Sequence, residues 1–132
     1  MTNIVLLALA LALRVESQGY TAANVPDGDG GRAVGVYQQW PCAVREANRI
    51  VGFECWRPED RRNPQLARAM AKVTLDFHQK RNRYSDPVRL AERLRNPYSV
   101  APEWHRVKLE KAFTNLRSAA SAGRGETRGD GV

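Results

Sequence analysis

A mainly helical, single-domain fold, broken once by a glycine-rich loop or short hairpin, is what the sequence predicts for these 132 residues. Three observations carry it. Apolar residues recur at three-and-four spacing in successive segments. Several of those segments open beside a proline, which is favoured in the first helical turn because it lacks the N–H that the turn leaves unpaired. One polar stretch, dense in Gly and Asp, separates the first segment from the second. A chain of this length can bury a core without disulfides or metals as staples.

The first element is the unbroken apolar run Ile4 to Leu13. It is too short to span a bilayer, so it is either the hydrophobic region of a secretion signal or a buried helix. No Lys or Arg precedes it, and Arg14, Val15 and Glu16 follow without a small-x-small cleavage site, so a helix is expected, with Leu6, Leu9, Leu13 and Glu16 on one face. Gly19 to Gly35 reads as the loop or hairpin, centred on Asp27-Gly-Asp29-Gly-Gly31. A helix then starts at Pro41, buries Val44, Ala47, Ile50 and Val51, and ends at Gly52. Asn63 and Pro64 form an N-cap and first helical residue for a helix lined by Leu66, Met70, Val73 and Phe77. Asp86 and Pro87 repeat that signal ahead of Val88, Ala91 and either Leu94 or Leu90. A last helix from about Pro102 carries Leu109, Ala112, Phe113 and Leu116. From Ser118 the composition is too poor in apolar residues to pack. The predicted organisation is therefore a domain over 1–117 and a disordered tail over 118–132.

Lys and Arg outnumber Asp and Glu by 21 to 14, a formal charge of +7 that favours polyanionic partners without choosing among nucleic acid, an anionic membrane and an acidic cell wall. No helix-turn-helix, zinc-finger or RNA-recognition pattern is present, and the aromatics are not interleaved with the basic residues as stacking platforms require. Nucleic acid is therefore not the expected partner. Cys42 and Cys55 are the only cysteines. Without CxxC or paired-His spacing they do not suggest zinc, and whether they pair with each other is open. His78 and His105 have no Ser or Cys partner at suggestive spacing and read as surface residues.

Cleaving a glycosidic bond requires a carboxylic acid that keeps its proton near neutral pH, and an apolar helix face is a common setting for one. Glu16 has that setting by periodicity. The run Leu11-Ala-Leu-Arg-Val-Glu16-Ser17-Gln-Gly19, followed by Gly31-Arg-Ala-Val-Gly35-Val-Tyr37-Gln38-Gln-Trp-Pro41, resembles the soluble lytic transglycosylases and goose-type lysozymes of the lysozyme-like superfamily. In them a helix ends in Glu-Ser, and a Gly-x-x-Gln segment before a Pro-initiated helix closes over it. The likeness extends more loosely through the first three quarters of the chain. It departs at Arg95-Asn96-Pro97-Tyr98, where relatives place glycines after the Asn.

The resemblance implies an α+β lysozyme-like fold with a substrate cleft. It implies a glycosidase acting on the β-1,4 bond between N-acetylmuramic acid and N-acetylglucosamine in peptidoglycan, or on a related amino-sugar polymer, at the bacterial cell wall. Glu16 is then the general acid, Ser17 supports the helix end, and Tyr37 and Gln38 line the cleft. Asn96 would contact sugar, a role the missing glycines put in question. Asp29 lies where hydrolytic members place an Asp that positions water. Tyr98 is among the aromatics, with Tyr20, Trp40, Trp56 and Trp104, whose faces suit pyranose rings. No cofactor, no membrane span and a monomer are implied. Two other readings stay open: a lytic transglycosylase forming 1,6-anhydromuramic ends, and a basic helical module that binds cell wall or nucleic acid without catalysis.

Overall fold

The computed structural model describes residues 3–18, 20, 21 and 24–131, with side chains described up to residue 119. Gly19, the last residue of the Glu-Ser run, lies outside the described residues, as does Val132 of the expected tail. The fold is mainly helical: α1 (Asn3–Glu16), α2 (Pro41–Val51), α3 (Pro64–Asn82), α4 (Pro87–Ala91) and α5 (Glu103–Gly131), with 3-10 turns at Asp29–Gly31 and Pro58–Arg62. No strand is formed among the described residues. Two isolated antiparallel bridges, Gly28 with Ala33 and Val34 with Gln39, fold the glycine-rich segment back on itself.

The helix boundaries follow local chemistry. The Asn63 side chain accepts from the N–H groups of Gln65 and Leu66, and Asp86 accepts from that of Val88, so each caps a helix whose first residue is proline. Helix α2 stops where Gly52 takes a left-handed φ of 100°. The backbone of α5 continues through Ser118 to Gly131, where composition predicts an unstructured tail.

Helix α1 is the central element, packing against α3, α4 and α5, while α2 lies on α3. Its buried face is Val5, Ala8, Leu9, Leu11 and Ala12, whereas Leu6 and Leu13 are exposed. The expected stripe through Leu6, Leu9 and Leu13 is thus rotated. In a segment apolar on every side, periodicity does not select a face, and the small Ala8 and Ala12 mark where neighbouring helices approach closely. Leu75 of α3, Leu90 of α4, Leu94 just after it and Leu109 of α5 are part of the same core. Each such side chain contributes roughly 1.5–3 kcal/mol of transfer free energy.

Arg61 fastens the glycine-rich segment to the rest. It is buried, and it donates to the carbonyls of Pro58, Arg32 and Gln39 at 2.7, 2.8 and 2.8 Å. Its backbone carbonyl sits against Gly35, whose φ is 83°.

A second buried polar group joins α2 to α3. The Glu46 carboxylate accepts from Arg49 at 2.6 and 3.0 Å and from the Tyr98 hydroxyl at 3.0 Å, and His78 Nε2 lies 3.1 Å away. His78 and His105 are both buried, contrary to the surface positions expected for them. The hydrogen bond from Arg49 holds the Glu46 carboxyl below its usual range against the opposing effect of burial. Burial lowers the His78 imidazole below 6.5, outweighing the attraction of Glu46. Both groups bind fewer protons folded than unfolded, so both make stability fall with acidification. The His78 contribution is lost as pH drops from 6.5 through its folded value, and that of Glu46 as pH drops from 4.5 through its own. The urea midpoint is therefore expected to decline from about pH 7 to below pH 4, and in Glu46→Gln the part of that decline below 4.5 that belongs to Glu46 is missing. A midpoint flat over that interval would contradict it.

Candidate active site

Glu16 is the last residue of α1, and its side chain is only 6% exposed. Ser17 closes the helix end behind it, donating from its hydroxyl at 2.5 Å and its N–H at 3.0 Å to the Leu13 carbonyl. The carboxylate does not face an apolar wall. Its Oε1 lies 2.5 Å from Nε2 of His105 in α5, and its Oε2 lies 3.7 Å from the Arg95 guanidinium. His105 is 2% exposed. It is held on the opposite side of the site by a helix that begins 87 residues after Glu16 ends α1. The greasy enclosure read from the helix face is thus, at the carboxylate itself, a cage of a histidine and an arginine.

Arg95 makes a second contact. Its guanidinium also donates to Asp29 Oδ2, which in turn accepts from the Trp40 indole N–H at 2.9 Å. One arginine therefore bridges the two carboxylates singled out in the sequence. Asp29 is brought to this place by a left-handed φ of 52° in the glycine-rich turn. The Trp40 N–H donates to the Arg95 carbonyl at 2.8 Å, tying the segment before α2 to the segment after α4.

Beside this bridge lies a cavity of about 270 Å³, lined by Asp29, Trp40, Arg95, Asn96, Trp104 and His105 among others. That is near the lower end of the range for small-molecule sites. Two indoles form its flat walls. Arg95 and Lys108 each stand 5.2 Å from the Trp104 ring, and Arg32 stands 5.3 Å from that of Trp40. No family model, curated protein sequence or solved structure matches the chain. What the site can do therefore rests on its own geometry.

The other residues implied by the resemblance fall into different places. Tyr37 is 2% exposed within the main core, and burial raises its hydroxyl above the ordinary phenol value. Gln38 is also buried, donating its amide to the carbonyls of Pro26 and Gly35 at 3.1 and 3.0 Å, so it braces the turn. Neither presents its side chain to the cavity as expected, because the segment between Val34 and Gln39 packs inward on α1. Asn96 does line it, with its oxygen engaged by Cys42 Sγ and the Tyr98 N–H, both at 3.1 Å. Tyr98 lies on a neighbouring cavity, its hydroxyl spent on Glu46. Asp27 is drawn away by Arg62, which forks onto it at 3.1 and 2.9 Å and holds its carboxyl below the usual range. Cys42 is buried, Cys55 is exposed, and they do not pair.

Sequence reasoning missed Arg95 as the bridging group and His105 as the partner of Glu16. Neither had a local signal. Each becomes meaningful only when the fold brings α5 and the segment after α4 to the end of α1.

Proposed function

We propose that the chain is a lysozyme-like glycosidase that cuts the β-1,4 bond of an amino-sugar polymer such as peptidoglycan, with Glu16 as general acid. The observation that carries this reading is the bridge itself. The acid and the water-positioning Asp29 that the resemblance implies share one guanidinium. Asp29, that guanidinium and two indoles line one cavity, while Glu16 contacts its lining residues Arg95 and His105 without lining it itself.

The chemistry runs as follows. Glu16 Oε1 and His105 Nε2 lie within hydrogen-bonding distance of each other. As the protonated acid, Glu16 delivers its proton to the bridging oxygen as the C1–O bond breaks and positive charge develops at C1. Water attacks C1 from the opposite face and gives its proton to Asp29, an inverting hydrolysis. Arg95 stands between the two carboxylates, where the scissile bond must enter, so bound substrate displaces it and uncovers the Trp104 ring over which it lies. Pyranose faces stack on Trp40 and Trp104, and Trp104→Ala is expected to raise KM for a glycan substrate about tenfold with the fold intact. An unchanged KM would remove Trp104 from the binding surface.

Product masses from purified peptidoglycan test the reaction type. Reducing-end muramic acid is the expected product. Dominant 1,6-anhydro ends would instead make the sugar's own hydroxyl the nucleophile and leave Asp29 without its role. A second reading, a fold that binds wall polymer without cutting it, is favoured by the same Arg95 bridge and by the absence of glycines after Asn96. It requires that no new ends appear at all.

A further inference from the structure

The cavity lined by Asp29 and Arg95 continues past Glu92, Ser99, Val100 and Ala101, which line both it and a second cavity of about 280 Å³. The two differ in charge. In the first, Arg95 is matched by Asp29, and Arg32 lies against the Trp40 ring. In the second, Arg89, Arg93 and Arg106 meet Glu92 alone, and Glu92 is already taken by Arg106, which forks onto it at 2.7 and 3.1 Å. Arg93 is fixed by neutral oxygens, donating to the Tyr84 hydroxyl at 2.8 Å and the Pro97 carbonyl at 3.3 Å. Among the described residues neither Arg93 nor the exposed Arg89 has an acidic partner.

We propose that this second cavity is an anion subsite that receives the carboxylate-bearing arm of a sugar whose ring occupies the first. The inference rests on the glycosidase reading and narrows its substrate. An aromatic cavity whose Arg95 is already paired suits a neutral pyranose, while a held guanidinium without a counter-charge suits a carboxylate, which arginine binds in a forked geometry. Chitin carries no negative group to place there. The muramic acid unit does, because its lactyl ether extends into a peptide with free carboxylates. The cavity is half open, so the attraction is screened by salt.

Isothermal titration at low salt with two probes, the N-acetylglucosaminyl-N-acetylmuramyl peptide and chitotriose, tests the proposal. Wild type is expected to bind the peptide-bearing disaccharide about tenfold or more tighter than chitotriose, a gap that shrinks to about twofold in the Arg89→Gln, Arg93→Gln double variant. Arg93 also braces Tyr84 and Pro97, so Arg89→Gln alone and Arg93→Lys accompany it. The first should lose part of the preference and the second keep most of it. A preference that survives both Arg89→Gln and the double variant would overturn the subsite. Equal binding of both probes by wild type overturns the subsite and leaves the glycosidase reading standing. Binding of neither probe overturns both.

Discussion

Gly35→Ala is expected to cost more than about 3 kcal/mol, a large part of the stability of an ordinary domain. Two effects combine. A residue with a Cβ is strained at a φ of 83°, by roughly 1–2 kcal/mol. The new methyl would also collide with the backbone carbonyl of Arg61, which cannot rotate aside as a side-chain tip does. Arg61 is itself tied to the carbonyls of Arg32 and Gln39, so moving its backbone loosens the segment that carries Asp29 and Trp40. Gly30→Ala is the control. Its φ is 69°, yet nothing lies within 4 Å of the added carbon, so only the conformational cost remains, about 1 kcal/mol. Urea unfolding of both variants checks the difference, and equal losses would show that the contact with Arg61 is not what makes Gly35 necessary.

The largest effect on activity is expected at Glu16. Glu16→Gln keeps the size and most hydrogen-bonding reach of the side chain but removes the acid, and loss of a general acid costs roughly 10²–10⁴-fold in kcat. The fold should tolerate it. Arg95 retains Asp29 as a partner, and His105 retains a side chain within hydrogen-bonding distance. A drop in activity with an unchanged urea midpoint is the signature of a chemical role. A drop matched by lost stability would instead mark Glu16 as a structural anchor for His105 and Arg95.

How much of this was legible in the sequence follows from the range of each interaction. Pro41, Asn63-Pro64, Asp86-Pro87 and Gly52 set helix ends through contacts within a few residues, so they were read correctly. The face of α1 was not, because apolar residues surround that helix and only its packing on α3, α4 and α5 selects Val5, Ala8 and Ala12 over Leu6 and Leu13. At the site, Glu16 and Asp29 were legible as residue types in a suggestive order. Their connection through Arg95 was not, since nothing near Arg95 in the sequence marks it as the partner of residues 66 and 79 positions earlier. His105 and Glu16 are 89 residues apart, and Glu46 and His78 are 32 apart. Burying such pairs is a property of the assembled helices, with no trace in local pattern. Tyr37 and Gln38 show the reverse error: a motif segment assigned to the cleft has its side chains turned into the core and the turn it stabilises.

The most direct measurement is a time course of soluble fragments released from purified peptidoglycan by wild type and by Glu16→Gln, with urea midpoints of both in parallel. Fragments with new sugar ends from wild type, and a rate lower by about two orders of magnitude or more from an equally stable variant, are the expected result. Equal and negligible release by the two folded proteins would contradict a proton-donating role for Glu16.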